Sequence, residues 1–274
     1  MKNLLILLGA SLFAFSAISQ EAGEKKVLAG LTLGAGLNFN DPETTAIDPK
    51  VGGDFMAGMN LDWHFAQNIA LSTGLEFDFN RFRNRFNDTA YFDYSDKEVL
   101  QRGNTDDEGY QSNTGEGRFF LEERRYRSIY LTIPTMLRFQ TNYLGYMRYF
   151  GKFGMRHSFL LTTRGDNFGK SFPNEGESQS ELEDMQIPGS LSLYKGTIGL
   201  SAGAEWNITG STVLVGELGF YYGISEVHQQ EALTGDDQKN MSLYNGPYND
   251  KDNREYFTPS LRQSQLLMKV AILF

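Results

Sequence analysis

Hydrophobic and polar residues alternate with a period of two in eight segments of this chain, the signature of strands with one apolar and one polar face. In the first, Leu28 to Asn40, Ala29, Leu31, Leu33, Ala35, Leu37 and Phe39 fall on one side. Gly30, Thr32, Gly34, Gly36 and Asn38 fall on the other. Gly53 to Phe65 and Ile69 to about Phe82 repeat the pattern. The remaining five run from about Arg125 to Phe139, Tyr146 to Leu161, Leu191 to Trp206, Thr212 to Ile224 and Ser264 to Phe274.

A soluble sandwich also alternates, so alternation alone leaves the class open. Three features favour a membrane barrel. The segments reach or exceed the roughly 9–11 residues that cross a bilayer as a tilted strand. Short connections near Gln67-Asn68, Thr141 to Gly145 and Thr209-Gly210 alternate with longer ones at Asp41 to Lys50, Arg83 to Arg124, Gly165 to Ser190 and Ser225 to Gln263. Aromatic residues such as Phe39, Trp63, Phe65, Phe139, Trp206, Tyr222 and Phe274 gather towards strand ends, as interfacial girdles do. The pattern therefore predicts an all-β fold: an eight-stranded antiparallel transmembrane up-and-down β-barrel with short periplasmic turns and long extracellular loops.

Composition narrows the class further. Mean hydropathy is −0.40, which excludes a helical membrane bundle but suits alternating strands. The formal net charge of −9 argues against a nucleic-acid partner. Cys is absent, so disulfides, thiolate metal sites and lipid-modified Cys are excluded. At the N-terminus Lys2 precedes an apolar run from Leu4 to Ile18, and Ala17-Ile18-Ser19 offers the small residues a signal peptidase reads. The run is shorter than a membrane span. A signal peptide over 1–19, a short segment over 20–26 and a barrel domain over 27–274 are expected, with export to the outer membrane.

The central motif carries a resemblance. Tyr130-Leu131-Thr132-Ile133-Pro134 followed by Leu137-Arg138-Phe139 resembles the signature of the PorT-like outer-membrane barrel family of Bacteroidota. Gly145 to Gly154, the opening Leu33-Gly34-Ala35-Gly36-Leu37-Asn38 and the terminal Phe274 extend it. The resemblance implies an outer-membrane barrel of eight strands and no single activity. Pro134 removes a ladder hydrogen bond, so a bulge or a water partner is expected there.

Strand phase decides which charges face inward. The acids are Asp54, Asp62, Glu76, Asp78, Glu205 and Glu217. The bases are Arg138, Arg148, Lys152, Arg156, Lys195 and Lys269. Eight strands enclose a lumen only wide enough for side chains. Unpaired charges there are costly, so a plug of salt bridges with trapped water is expected; the rival is a narrow ion path. Arg81 and Arg127 fall on the lipid side near outer strand ends, where their cost drops to about 0–1 kcal/mol.

Of the three histidines, His64 lies beside Asp62, and Ser72 or Ser201 could complete a lipid-directed hydrolase. His157 is expected at the outer interface and His228 in a loop. No histidine shows metal-ligand spacing. Acidic clusters at Asp106-Asp107-Glu108, Glu181 to Asp184, Asp236-Asp237 and Asn249 to Asn253 read as solvated loop surface rather than Ca²⁺ sites. The expectation is a non-enzymatic monomer without cofactors, acting through its loops or within an envelope complex. Its partners would be outer-membrane lipid, the barrel-assembly machinery acting on the strand that ends at Phe274, and an extracellular or envelope protein.

Overall fold

A computed structural model describes residues 27–102, 116–172, 180–209, 212–228, 241–246 and 253–274. The expected signal peptide and the acidic clusters at 106–108, 236–237 and 249–252 lie outside them.

The described residues form thirteen strands in one sheet: β1 (Val27–Pro42), β2 (Ile47–Ala66), β3 (Ile69–Phe86), β4 (Tyr91–Ser95), β5 (Glu98–Val99), β6 (Glu116–Gln140), β7 (Met147–Phe172), β8 (Ser180–Gln186), β9 (Tyr194–Thr209), β10 (Thr212–Gly223), β11 (Tyr244–Asn245), β12 (Glu255–Tyr256) and β13 (Leu261–Leu273). The sequence-based count of eight is therefore corrected to thirteen. Pairing closes a ring in the order β1, β2, β3, β6, β7, β9, β10, β13 and back to β1, every contact antiparallel. The five short strands β4, β5, β8, β11 and β12 lie off the ring, inside segments that read as loops. No helix of the described residues is long and apolar enough to cross a membrane.

The wall follows from the alternation. On β3, Leu75, Phe77 and Phe79 are exposed, while Glu76, Asp78 and Asn80 between them are buried. On β13, Leu266, Met268, Val270 and Ile272 face out, and Gln265, Leu267 and Lys269 face in. An apolar exterior around a polar interior inverts the soluble arrangement and suits a lipid solvent. Ring strands turn tightly at one end: Gln67-Asn68 joins β2 to β3, and Gly145, at φ 67°, supplies the left-handed backbone between β6 and β7.

At the other end the wall is uneven. β6 and β7 have 25 and 26 residues, against 12 for β10 and 13 for β13. Most of the described part of the expected loop from Arg83 to Arg124 is thus strand. The connection after β1 shrinks to four residues, Glu43 to Ala46, because β2 starts at Ile47. Past Arg85–Glu123 the partner of β6 changes from β3 to β4, at a bulge between Leu121 and Glu123. β4 then pairs with β5 and β11 and begins a cap over this end.

The cap has an apolar core of its own. Phe92 of β4 and Phe119 and Leu121 of β6 pack with Val99, Met185, Ile187, Leu191 and Leu243, all buried. Pro134 lies in β6 with no register shift beside it. The β3–β6 ladder passes from Thr73–Thr135 to Glu76–Thr132 at constant register, leaving Gly74 and Leu75 without a partner there. The expected bulge is corrected to a two-residue gap in the ladder, because an unbroken register keeps Arg138 and Thr132 both pointing inward.

Replacing Phe119 by Ala should loosen the cap by about 3–5 kcal/mol, the usual cost of deleting a buried aromatic. Hydrogen exchange should quicken in β4 and the outer half of β6, while the ring strands keep their protection.

Candidate functional site

The twelve inward charges expected from phase are all buried, none more than 9 % exposed. Ten of them meet in ion pairs that cross the lumen in tiers. Nearest the short turns, Arg138 of β6 binds Asp62 of β2 at 2.5 Å and also Glu205 of β9, whose second oxygen takes Arg148 of β7 at 2.5 Å. In the middle tier Lys152 meets Glu217, and Lys269 meets Glu76, each at 2.7 Å. Above them Arg156 binds Glu76 and Asp78, both at 2.9 Å, and Thr132 donates to Asp78 at 2.6 Å.

Asp54 and Lys195 are the exceptions. Neither forms an ion pair among the described residues. The Gln265 amide donates to Asp54, and the Lys195 ammonium donates to Gln263 at 3.1 Å. Gln263 in turn bonds Asn80 and Asn40, at 2.7 and 2.8 Å. Glutamines thus tie the top tier together.

Aromatic rings fill what the charges leave. The Arg138 guanidinium lies 4.1 Å from the centre of the Phe150 ring, and the Lys152 ammonium 5.1 Å from it. Gly203 makes room for this ring, since a Cβ there would strike it. The Lys195 ammonium sits 4.6 Å from the Tyr130 ring, and the Arg156 guanidinium 5.1 Å from the Tyr221 ring. Met56, Met136, Tyr221 and Leu267 make an apolar cluster at mid-height. A cavity lined by Asn60, Ser72, Pro134, Lys152 and Glu217, among others, measures about 20 Å³. That is room for about one water.

The lipid-hydrolase constellation does not assemble. His64 bonds Gln140 at 3.3 Å, and Asp62 is taken up by Arg138 and Asn60. No hydrogen bond joins His64 to Ser72, Ser201 or Asp62 among the described residues. His157 contacts Tyr194 on the exterior, Nδ1 lying 2.9 Å from the hydroxyl. No group of His, Asp and Glu among the described residues is arranged to hold a metal ion. Phe274 is half exposed, and its backbone pairs with Ala29.

The cap holds polar groups that sequence reasoning missed. His228, read as a loop residue, is fully buried; its Nδ1 is 2.9 Å from the Ser190 carbonyl and its Nε2 3.4 Å from the Asn84 amide nitrogen. Burial, opposed by the Ser190 carbonyl, pulls its pKa down to about 4. Asp93 accepts from Tyr244 at 2.7 Å and pairs with Arg254 at 2.8 Å. Arg118 lies 3.5 Å from the centre of the Tyr91 ring. The signals for this cluster in the sequence are the aromatic-interleaved stretches Tyr91-Phe92-Asp93-Tyr94 and Tyr244 to Phe257.

A closed antiparallel ring with an apolar exterior, aromatic ends and an ion-paired polar interior defines a transmembrane β-barrel of the outer-membrane type. Residues 18–229 match the family described as outer membrane protein beta-barrel domain, and the chain belongs to that family. The outer membrane is its location. No curated protein matches the chain. Among solved structures it is similar to Neisserial surface protein A, at 11 % identity and TM-score 0.31, covering 90 % of this chain and 99 % of that one. Similar too is Ail, the attachment invasion locus protein of Yersinia pestis, at 11 % identity and TM-score 0.30, covering 91 % and 99 %. The outer membrane protease OmpT of Escherichia coli matches at 9 % identity and TM-score 0.35, covering 94 % and 99 %.

Arg138→Ala should cost about 3–5 kcal/mol, because it leaves buried Asp62 without an ion-pair partner and Glu205 with Arg148 alone. Urea unfolding in lipid vesicles should show the loss, and Arg138→Ala combined with Asp62→Asn should recover part of it.

The cap should also be acid-sensitive. Unfolded, the His228 imidazole titrates near 6.5; folded, near 4. Above pH 6.5 both states are neutral and pH has no effect through this group. As pH falls from 6.5 towards 4 the unfolded state takes the proton first, so the folded cap loses up to about 3 kcal/mol. Hydrogen exchange of cap amides across that interval should quicken in the native chain and respond less in His228→Gln.

Proposed function

We propose that this protein is a closed, non-enzymatic barrel that holds a folded cap on the outside of the cell and acts through it. The observation that carries this reading is the filled lumen, with its tiers of ion pairs and a void of about 20 Å³. A path for hydrated ions needs a continuous wet channel, and an eight-membered ring of strands is near the lower limit at which side chains fill the interior. The cap supports the same reading from the other direction. It has its own apolar core, where a mere covering would need only short loops.

In this reading residues 1–19 are a signal peptide removed on export, and the strand ending at Phe274 is what the assembly machinery recognises. The barrel is monomeric and needs no cofactor. The Tyr130 to Pro134 motif supports membership of the PorT-like branch. The cap's ligand is an extracellular or envelope protein, in keeping with the ordered aromatic and charged residues Tyr91, Asp93, Arg118 and Tyr244.

Two measurements test the proposal. The purified full chain should give no steady unitary conductance in planar bilayers; regular openings would favour the ion-path alternative. Because the chain has no native Cys, single cysteines report topology cleanly. On intact cells a membrane-impermeant maleimide should label Ser95→Cys in the cap and leave Asn68→Cys in the short turn unlabelled. The reverse pattern would sink the outward placement of the cap.

A further inference from the structure

Six arginines lie together on the exterior of three neighbouring strands, just past the apolar band. They are Arg81, Arg83 and Arg85 of β3, Arg125 and Arg127 of β6, and Arg164 of β7. Their register aligns them: Arg81 is opposite Arg127, Arg83 opposite Arg125, and Arg127 opposite Arg164. Like charges directly opposite on one sheet face are destabilising. Three such pairs in a chain of net charge −9 therefore need a compensating negative charge.

The protein supplies only part of it. Glu123 meets Arg85, Arg125 and Arg83 at 3.2, 3.1 and 3.5 Å. Asp166 and Asp184 meet Arg127 at 2.7 and 3.2 Å. Six positive charges against these three carboxylates leave an excess of three, 6 − 3. Arg81 is in no ion pair among the described residues. The side chains of Arg83, Arg85, Arg125 and Arg127 remain 42–60 % exposed despite their partners. One strand further, Lys50 pairs with Asp48 and adds no net charge.

Height along the wall says what these arginines meet. Lipid-facing positions on β3 run from Ile69, opposite Phe139 at the short-turn end, to Phe79. Ten strand steps of ~3.3 Å, tilted ~40°, rise about 25 Å, which is the height of an outer-membrane apolar band. Arg81 follows Phe79 on the same face. The patch therefore stands at headgroup level in the leaflet on the cap side. Guanidinium groups bind phosphate oxygens in paired, charge-assisted hydrogen bonds.

We propose that this arginine patch is a binding site for the anionic phosphate headgroups of lipid in the cap-side leaflet. Bound phosphate would supply the missing negative charge and fix the barrel's depth and rotation beside a preferred lipid. The site depends only on the barrel spanning the bilayer, so it stands or falls apart from the role of the cap.

The test uses the full chain in phosphatidylcholine nanodiscs doped equally with monophosphoryl lipid A and its dephosphorylated form. Native mass spectrometry then reads which lipid stays bound after extraction. The phosphorylated form should be enriched roughly tenfold, as expected for one good charge-assisted contact. Arg81→Gln with Arg127→Gln should bring the ratio close to parity, and Arg81→Lys with Arg127→Lys should retain part of the enrichment. Heat-modifiable migration on gels reports folding of each variant. Should the glutamine pair not fold, the wild-type ratio must still fall with added salt. Equal retention of both lipids, or enrichment unmoved by the folded glutamine variant, would overturn the proposal. So would release of the lipid by inorganic phosphate, which would assign the patch to a soluble anion.

Discussion

Hydrocarbon offers no hydrogen-bond partner to a strand edge, and the return of β13 to β1 is what removes the last edge from this sheet. The remaining features of the membrane portion follow from that closure. Once the ring is shut, every second side chain of every ring strand points into a space little wider than the side chains themselves. Those residues have no bulk solvent to turn to. They must satisfy one another, and the tiers from Asp62–Arg138 to Arg156–Asp78 are how they do so. The opposite face has the converse obligation, and between its ends it carries Leu, Phe, Val and Ile rather than charge.

How much of this was legible depends on distance along the chain. Period-two alternation is a local property, so the inward phase of Glu76, Arg148 or Lys269 could be read from a few neighbours. Partnership is not local. Glu76 meets Lys269 across 193 positions, and nothing near either residue announces the other. Asp54 and Lys195 show the limit, since both point inward as read and yet are held by Gln265 and Gln263 rather than by an opposite charge. The glutamines carried no signal beyond polarity.

The strand count failed for a related reason. Two-residue strands such as β5, β11 and β12 are too short to show any period. The outer halves of β6 and β7 hid differently. There the exterior is wet while the interior faces an apolar cap, so Phe119 and Leu121 are buried in the cap's own core. The usual contrast of faces is reversed, and a rule calibrated on a lipid-facing exterior reads the segment as loop. His228 does lie in a connection, as read, but its burial went unseen, because a single histidine there gives no hint that a second core will close around it.

The seam between β1 and β13 also sets an order of events in time. The first strand of the described chain finds one of its two neighbours only in the last, some 240 positions later at pairs such as Gly30–Leu273. Until that moment Glu76 has no Lys269, and one edge of the sheet is bare. A chain halted before its final strand therefore lacks more than one-eighth of a wall. It lacks the partner of a central carboxylate and the means to hide its edge from lipid. Closure is therefore decided by β13, which supplies the last edge pairing and the last central ion pair together.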